Sequence, residues 1–193
     1  MQLTREDLLS LEQYSAERNA FRERVMLHKR NRRLPLGEHL SLYFEDRLTM
    51  QYQIQEVLRA EKVFEADGIQ EELEAYNPLI PDGTNWKVTL MVEYKDPEER
   101  MQALTQLIGI ERKTWLQIEG FAKIYAIANE DLERETDAKT SAVHFLRYEL
   151  TDEMAAAAKQ GANINVGVEH ENYSNEQTPI AENIRSSLAG DLV

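Results

Sequence analysis

Apolar residues recur with two distinct periods along the chain, and the switches between those periods mark its elements. Over residues 39–45, Leu40, Leu42 and Phe44 alternate with His39, Ser41 and Tyr43, which predicts a half-buried strand. The same period places Trp86, Val88, Leu90, Val92 and Tyr94 on one side of a second strand. It also groups Ile164, Val166, Val168 and His170 on one side of another. Residues 141–150 read as a long strand, and 115–119 and 121–127 as two more on either side of Gly120.

Helical spacing takes over elsewhere. Tyr14, Phe21, Val25 and His28 form a narrow apolar stripe and predict a helix over 15–33, halted by Pro35 and Gly37. Upstream, Thr4 followed by Asp7 resembles a capping box and predicts a short helix that includes Leu8, Leu9 and Leu11. Residues 47–55 alternate like a strand, but Met50, Ile54, Val57, Leu58 and Phe64 also fit a helical face, with Asp46 as N-cap. The helix accounts for the whole of 47–64 and is the reading adopted.

Further helices are predicted over 69–76, ended by Asn77-Pro78, and over 97–108, where Pro97 takes the first helical position. Residues 78–85 read as a loop turning at Pro81-Asp82-Gly83. Thr151 opens an Ala-rich helix that Gly161 ends, 171–178 reads as polar loop, and a last helix covers 179–189. Together these predict an α+β fold: a mixed, largely antiparallel sheet of about six strands covered by helices. One domain is expected over 1–193, with a helical N-terminal segment at 1–34 and a loop and C-terminal helix at 171–193.

The chain contains no cysteine, which excludes disulfides, thiolate-held zinc, cysteine-ligated iron–sulfur clusters and thiol catalysis. Its N-terminus is charged throughout and no apolar run reaches the length of a bilayer span, so a cytoplasmic location is expected. A net charge of −13 disfavours general binding to nucleic acid. The charge is polarised, however: between Arg22 and Arg33 six basic residues stand against Glu23 alone.

Dinucleotide, P-loop, nucleophile-elbow and zinc-helix motifs are all missing, as is the Glu-x-x-His pair of di-iron bundles. Candidate chemistry therefore rests on scattered side chains. His144 and His170 lie on apolar strand faces and, with a carboxylate, would make a metal site or an acid–base pair. The commoner arrangement is two histidines hydrogen-bonded separately at the edge of a core. Glu56, Glu61, Glu65, Asp67, Glu71, Glu72 and Glu74 form an acidic group, in which Glu61 and Glu65 share a helical face and Glu56 can pair with Arg59. Arg147 needs an acidic partner if buried, which Glu56 or Glu72 can supply.

Arg18, Arg22, Lys29 and Arg33 share a helix face that can meet a phosphate, an acidic partner or this chain's own segment 61–74. The candidate binding residues are thus His39, Glu56, Arg59, Glu72, His144, Arg147 and His170, with Arg18, Arg22, Lys29 and Arg33 as a basic face. No metal or cofactor is expected.

Six stretches carry a resemblance. They are GEHLSLYFEDR (37–47), QIQEVLRAEKVF (53–64), IQEELEAYNPLIPDG (69–83), LIGIE (107–111), TSAVHFLRYEL (140–150) and VEHENY (168–173). In this order and spacing they resemble the domain-of-unknown-function family 3501 over nearly the whole chain. Glu171 departs from the family pattern, which carries proline there. The resemblance implies association with a rubrerythrin-like protein or an iron–sulfur protein of the heterodisulfide-reductase type, and so with a redox or peroxide-defence system. It implies no residue roles.

The resulting expectation is a non-catalytic accessory or interaction protein, whose partner is such a redox protein or a second copy of this chain. A metal-binding protein or metal-dependent enzyme using His144 and His170 is the alternative. RNA or phosphate-ligand binding through the 18–33 helix is a second.

Overall fold

The computed structural model describes residues 2–131, 134, 136 and 138–193. A 3-10 turn at Arg5–Asp7, closed by the Thr4/Asp7 capping box, leads to α1 (Leu11–Lys29). Ser10 caps α1 reciprocally with Gln13, so the helix begins four residues before the expected Ser15. It also ends earlier than expected. Arg33–Pro35 is not helix but a strand, β1, because Arg33, Leu34 and Pro35 pair with Tyr43, Leu42 and Ser41 of β2 (Leu40–Glu45).

Asp46 then caps α2 (Arg47–Glu61) through the Thr49 amide, as expected. Lys62 takes a left-handed conformation and ends α2, so Glu61 and Glu65 do not share one helix face. α3 (Ala66–Tyr76) runs into a 3-10 turn at Asn77–Leu79, followed by β3 (Asn85–Val92). Asp96 accepts from the Glu98 and Glu99 amides to start α4 (Pro97–Gln106).

After a 3-10 turn at Ile110–Lys113 come β4 (Thr114–Ile118), β5 (Ile124–Tyr125), β6 (Ile127–Ala128) and β7 (Val143–Glu149). Then follow α5 (Asp152–Lys159), β8 (Ile164–His170), β9 (Tyr173–Gln177) and α6 (Glu182–Ala189). The polar stretch expected to be loop at 171–178 is thus mostly a strand. β9 returns from β8 through Glu171 and Asn172, with His170 opposite Tyr173.

The α+β class and the antiparallel pairing hold, but the strands form two sheets where one was expected. One has the order β1-β2-β3-β7-β6 and the other β5-β4-β8-β9. The segment 124–128 crosses between them: β5 pairs with β4, whereas β6 pairs with β7. The inner faces pack together in one core. Leu42, Phe44, Trp86, Val88, Leu90 and Tyr148 of the first sheet meet Leu116, Ile164, Val166 and Val168 of the second, under α5 and α6. Each fully buried side chain of this size contributes about 1.5–3 kcal/mol. α1, α2 and α3 pack on one another through two smaller clusters, around Tyr14, Phe21 and Tyr52 and around Ile54, Leu58 and Leu73. Among the described residues no helix is long and apolar enough to cross a membrane.

Candidate functional site

The structure separates the candidate residues and engages most of them internally. Glu56 does not pair with Arg59. It turns to α1, where both its oxygens accept from Arg18 (2.8 and 2.7 Å) and Oε1 accepts from the Tyr14 hydroxyl (2.6 Å). The hydrogen-bonded Arg18 guanidinium and the Tyr14 hydroxyl hold the Glu56 carboxyl down at about 2. The basic face consequently does not meet the acidic segment 61–74. Arg18 binds Glu56, Lys29 lies over the Tyr52 ring, Arg22 is exposed, and Arg33 belongs to β1, where it meets Glu93 and Ser41. Glu72 is half-buried, and burial, with Glu61 and Glu71 nearby, raises its pKa.

The two histidines belong to different sheets. His144, on β7, is fully buried. Its ring nitrogens bond to Thr140 Oγ1 (2.9 Å), the Ser141 carbonyl (3.0 Å) and the Asn129 side chain, and Glu111 approaches to 3.8 Å. His170, at the end of β8, donates from Nε2 to the Ile108 carbonyl (3.0 Å) and accepts on Nδ1 from the Asn172 amide. Among the described residues no three histidine or carboxylate side chains gather into a metal-holding group. Glu111 was missed from the sequence because nothing in a lone glutamate of a 3-10 turn announces a contact thirty-three residues away. Arg147 takes neither Glu56 nor Glu72 as partner. It forms a fork with Glu130 (2.9 and 2.8 Å) and also binds Glu149.

A buried ion cluster that sequence reasoning missed is centred on Arg32, 2% exposed. Nε donates to the Phe44 carbonyl (2.8 Å), and Nη2 to the Glu45 carbonyl (3.2 Å) and Asp191 Oδ2 (2.5 Å). Asp46 Oδ2 lies 3.4 Å from Nε and 2.5 Å from His28 Nε2. Burial would raise Asp46, but Arg32, the Thr49 amide and His28 outweigh it and its pKa falls. Burial prevails at Asp191, which rises despite Arg32. The guanidinium stands between the two carboxylates, and the cluster joins β1, α2 and the C-terminal tail. One pattern could have exposed it: Arg32 keeps the two-residue phase of buried Leu34 and Leu36.

An open cleft of about 630 Å³ lies where β1, β2 and β3 end, and His39 lines it with Arg33, Glu38, Glu93, Tyr94 and Glu99. The His39 ring stacks on Tyr94 at 3.9 Å between centroids and 9° between planes, while 38% of the side chain remains exposed. Its Nδ1 meets the Glu93 carbonyl (3.2 Å). Its backbone amide donates to the Tyr173 hydroxyl, which donates in turn to Leu36 O. Gly37, at φ +75°, permits this turn, since a β-carbon there would stand 2.5 Å from the Tyr173 oxygen. Glu93 accepts from Ser41 (2.7 Å), Tyr43 (2.9 Å) and Arg33 (3.0 Å), which together overcome its burial and lower its pKa. The cleft therefore presents a fixed ring beside the Arg33–Glu93 pair, on a rim of both charge signs.

Two antiparallel sheets closed over one core, with these internal networks and the open cleft around His39, define the structural class. The chain belongs to the family described as "Protein of unknown function (DUF3501)", whose profile matches residues 2–192. It is similar to the crystal structure of a novel protein of unknown function from Burkholderia pseudomallei K96243. That likeness covers 100% of both chains at 50% identity, with a TM-score of 0.94. No curated protein matches the chain.

Proposed function

We propose that this protein is a non-catalytic accessory protein that binds a partner protein through the cleft around His39. The observation that carries this reading is a contrast. His144, His170, Glu56 and Arg147 are all tied to neighbours within the chain, whereas His39, held by Tyr94 and the Glu93 carbonyl, still leaves 38% of its side chain open to the cleft. A pre-ordered aromatic surface loses little entropy on binding, and a rim of both charge signs suits a polar protein surface. The family resemblance adds the class of partner, a rubrerythrin-like or iron–sulfur redox protein.

A metal site on His144 and His170 has less support, because the rings belong to separate sheets and hydrogen-bond separately. RNA or phosphate binding by α1 has less support too, since Arg18 and Lys29 are engaged by α2.

Affinity capture from native lysate, with the wild type and a His39→Ala/Tyr94→Ala variant, tests the proposal. The wild type is expected to retain the redox protein, and the variant to lose about tenfold or more of it, as for an aromatic hot spot. Capture of neither redox protein at low and at physiological salt overturns the partner class. Equal capture by the variant overturns the cleft.

A further inference from the structure

On the outer face of the five-stranded sheet, Lys87 of β3 stands opposite Arg147 of β7 and Glu45 of β2. Directly opposed residues in antiparallel strands share a face with their β-carbons about 5 Å apart, so two cations are held side by side. The neighbouring acids are already committed. Glu130 and Glu149 bind Arg147, and Glu45 accepts from the Thr49 and Thr89 hydroxyls at 2.7 Å each. Asp82, in the loop before β3, accepts from Thr84 and meets Asn85. Among the described residues Lys87 forms no ion pair, and it lines a cavity of about 280 Å³ walled by Pro78, Leu79 and Phe145.

We propose that Lys87 is a nucleophilic amine that captures small uncharged aldehydes or ketones in this cavity as an imine. The site has the two features that activate a lysine: partial desolvation and an adjacent fixed cation. Burial first, and Arg147 second, lower the pKa of its ammonium, against weaker opposing effects of Glu130, Asp82 and Glu149. The free amine adds to the carbonyl carbon, forming the C–N bond as the C=O pair moves to oxygen. The nitrogen's extra proton leaves to water, the alkoxide is protonated, and loss of water from the carbinolamine gives the imine. Solvent supplies the protons, because the Arg147 hydrogen bonds keep Glu130 ionised. An uncharged carbonyl is favoured over an oxo acid, since the carboxylates of Glu130 and Asp131 line the cavity, Asp131 bound to Arg134, and would repel a second carboxylate. This inference is independent of the His39 cleft.

The test uses the full-length protein with propanal and sodium cyanoborohydride at neutral pH, which reduces the imine to a stable N-propyl-lysine. Peptide mass mapping then gives a rate for each lysine. Lys87 is expected to label about tenfold or more faster than any other lysine, as activation by desolvation and a cation implies. Its rate should also reach a plateau at lower pH than theirs. Labelling that simply follows exposure, with Lys87 among the slow positions, overturns the proposal. Pyruvate should label Lys87 more slowly than propanal does; an equal or faster rate overturns the uncharged-ligand assignment. Arg147→Met frees Glu130 and Glu149 beside the amine and should slow its labelling to that of a surface lysine. An unchanged rate rejects the role given to Arg147. If that variant fails to fold, the wild-type rates and pH profile decide the question.

Discussion

Taking a guanidinium out of water costs several kcal/mol unless its donors are matched, and Arg32 meets two carbonyls, a hydroxyl and the Asp191 carboxylate with 2% of its surface exposed. Arg32→Met removes the charge that Asp46 and Asp191 share, leaving both carboxylates facing each other across an apolar chain. Its expected cost is about 3–5 kcal/mol, seen as a lower urea midpoint at unchanged slope. Asp191→Asn keeps acceptor capacity and relieves the repulsion with Asp46, so it should cost about 1–2 kcal/mol. Equal losses in the two variants would show that the Asp191 charge, and not the matching of Arg32, dominates the joint. None of these pairings had a local signature: Arg32 and Asp191 are 159 residues apart. A charge in phase with the buried Leu34 and Leu36 was the one clue available.

At the level of elements, α2 shows what a sequence can convey. Residues 47–55 alternate like a strand, yet Asp46 and Thr49 cap each other and the chain turns into helix. β9 shows the opposite case. Tyr-Ser-Asn-Glu-Gln has no apolar alternation because it is an exposed edge strand, held by its ladder to β8 and by the Tyr173 hydroxyl. The division into two sheets was illegible for a related reason: the crossing at 124–128 is made by backbone pairing, which leaves no side-chain pattern. Packing between elements gives a sharper prediction. Trp115 of β4 lies opposite Gly167 of β8, where a β-carbon would come within 2.5 Å of the indole. Gly167→Ala must displace a ring that is 2% exposed and stacked under Lys123, at a cost of about 1–3 kcal/mol. A red shift in tryptophan emission should accompany the loss. Unchanged emission and stability would mean that the β4–β8 contact is looser than this.

The whole molecule carries a charge of −13, and its response to acid follows from how individual carboxyls are held. Glu56, Asp46, Glu93 and Glu130 titrate lower in the folded chain than their ordinary values, Glu56 at about 2 against 4.5. A depressed carboxyl contributes stability that is fully present above its unfolded pKa and lost as pH falls through its folded pKa. Asp191 and Glu72 are raised and act in the opposite sense, favouring the folded state on the acid side and opposing it as pH rises. The depressed groups are more numerous, so the urea midpoint should fall as pH drops from about 4.5 towards 2. Arg18→Met isolates the joint between α1 and α2, because it removes the largest cause of the Glu56 shift. At neutral pH this variant should be less stable than the wild type, and the two urea midpoints should converge as Glu56 becomes protonated. A deficit that persists undiminished near pH 2 would mean that Arg18 supports α1 by packing its methylene stem, with its charge on Glu56 incidental.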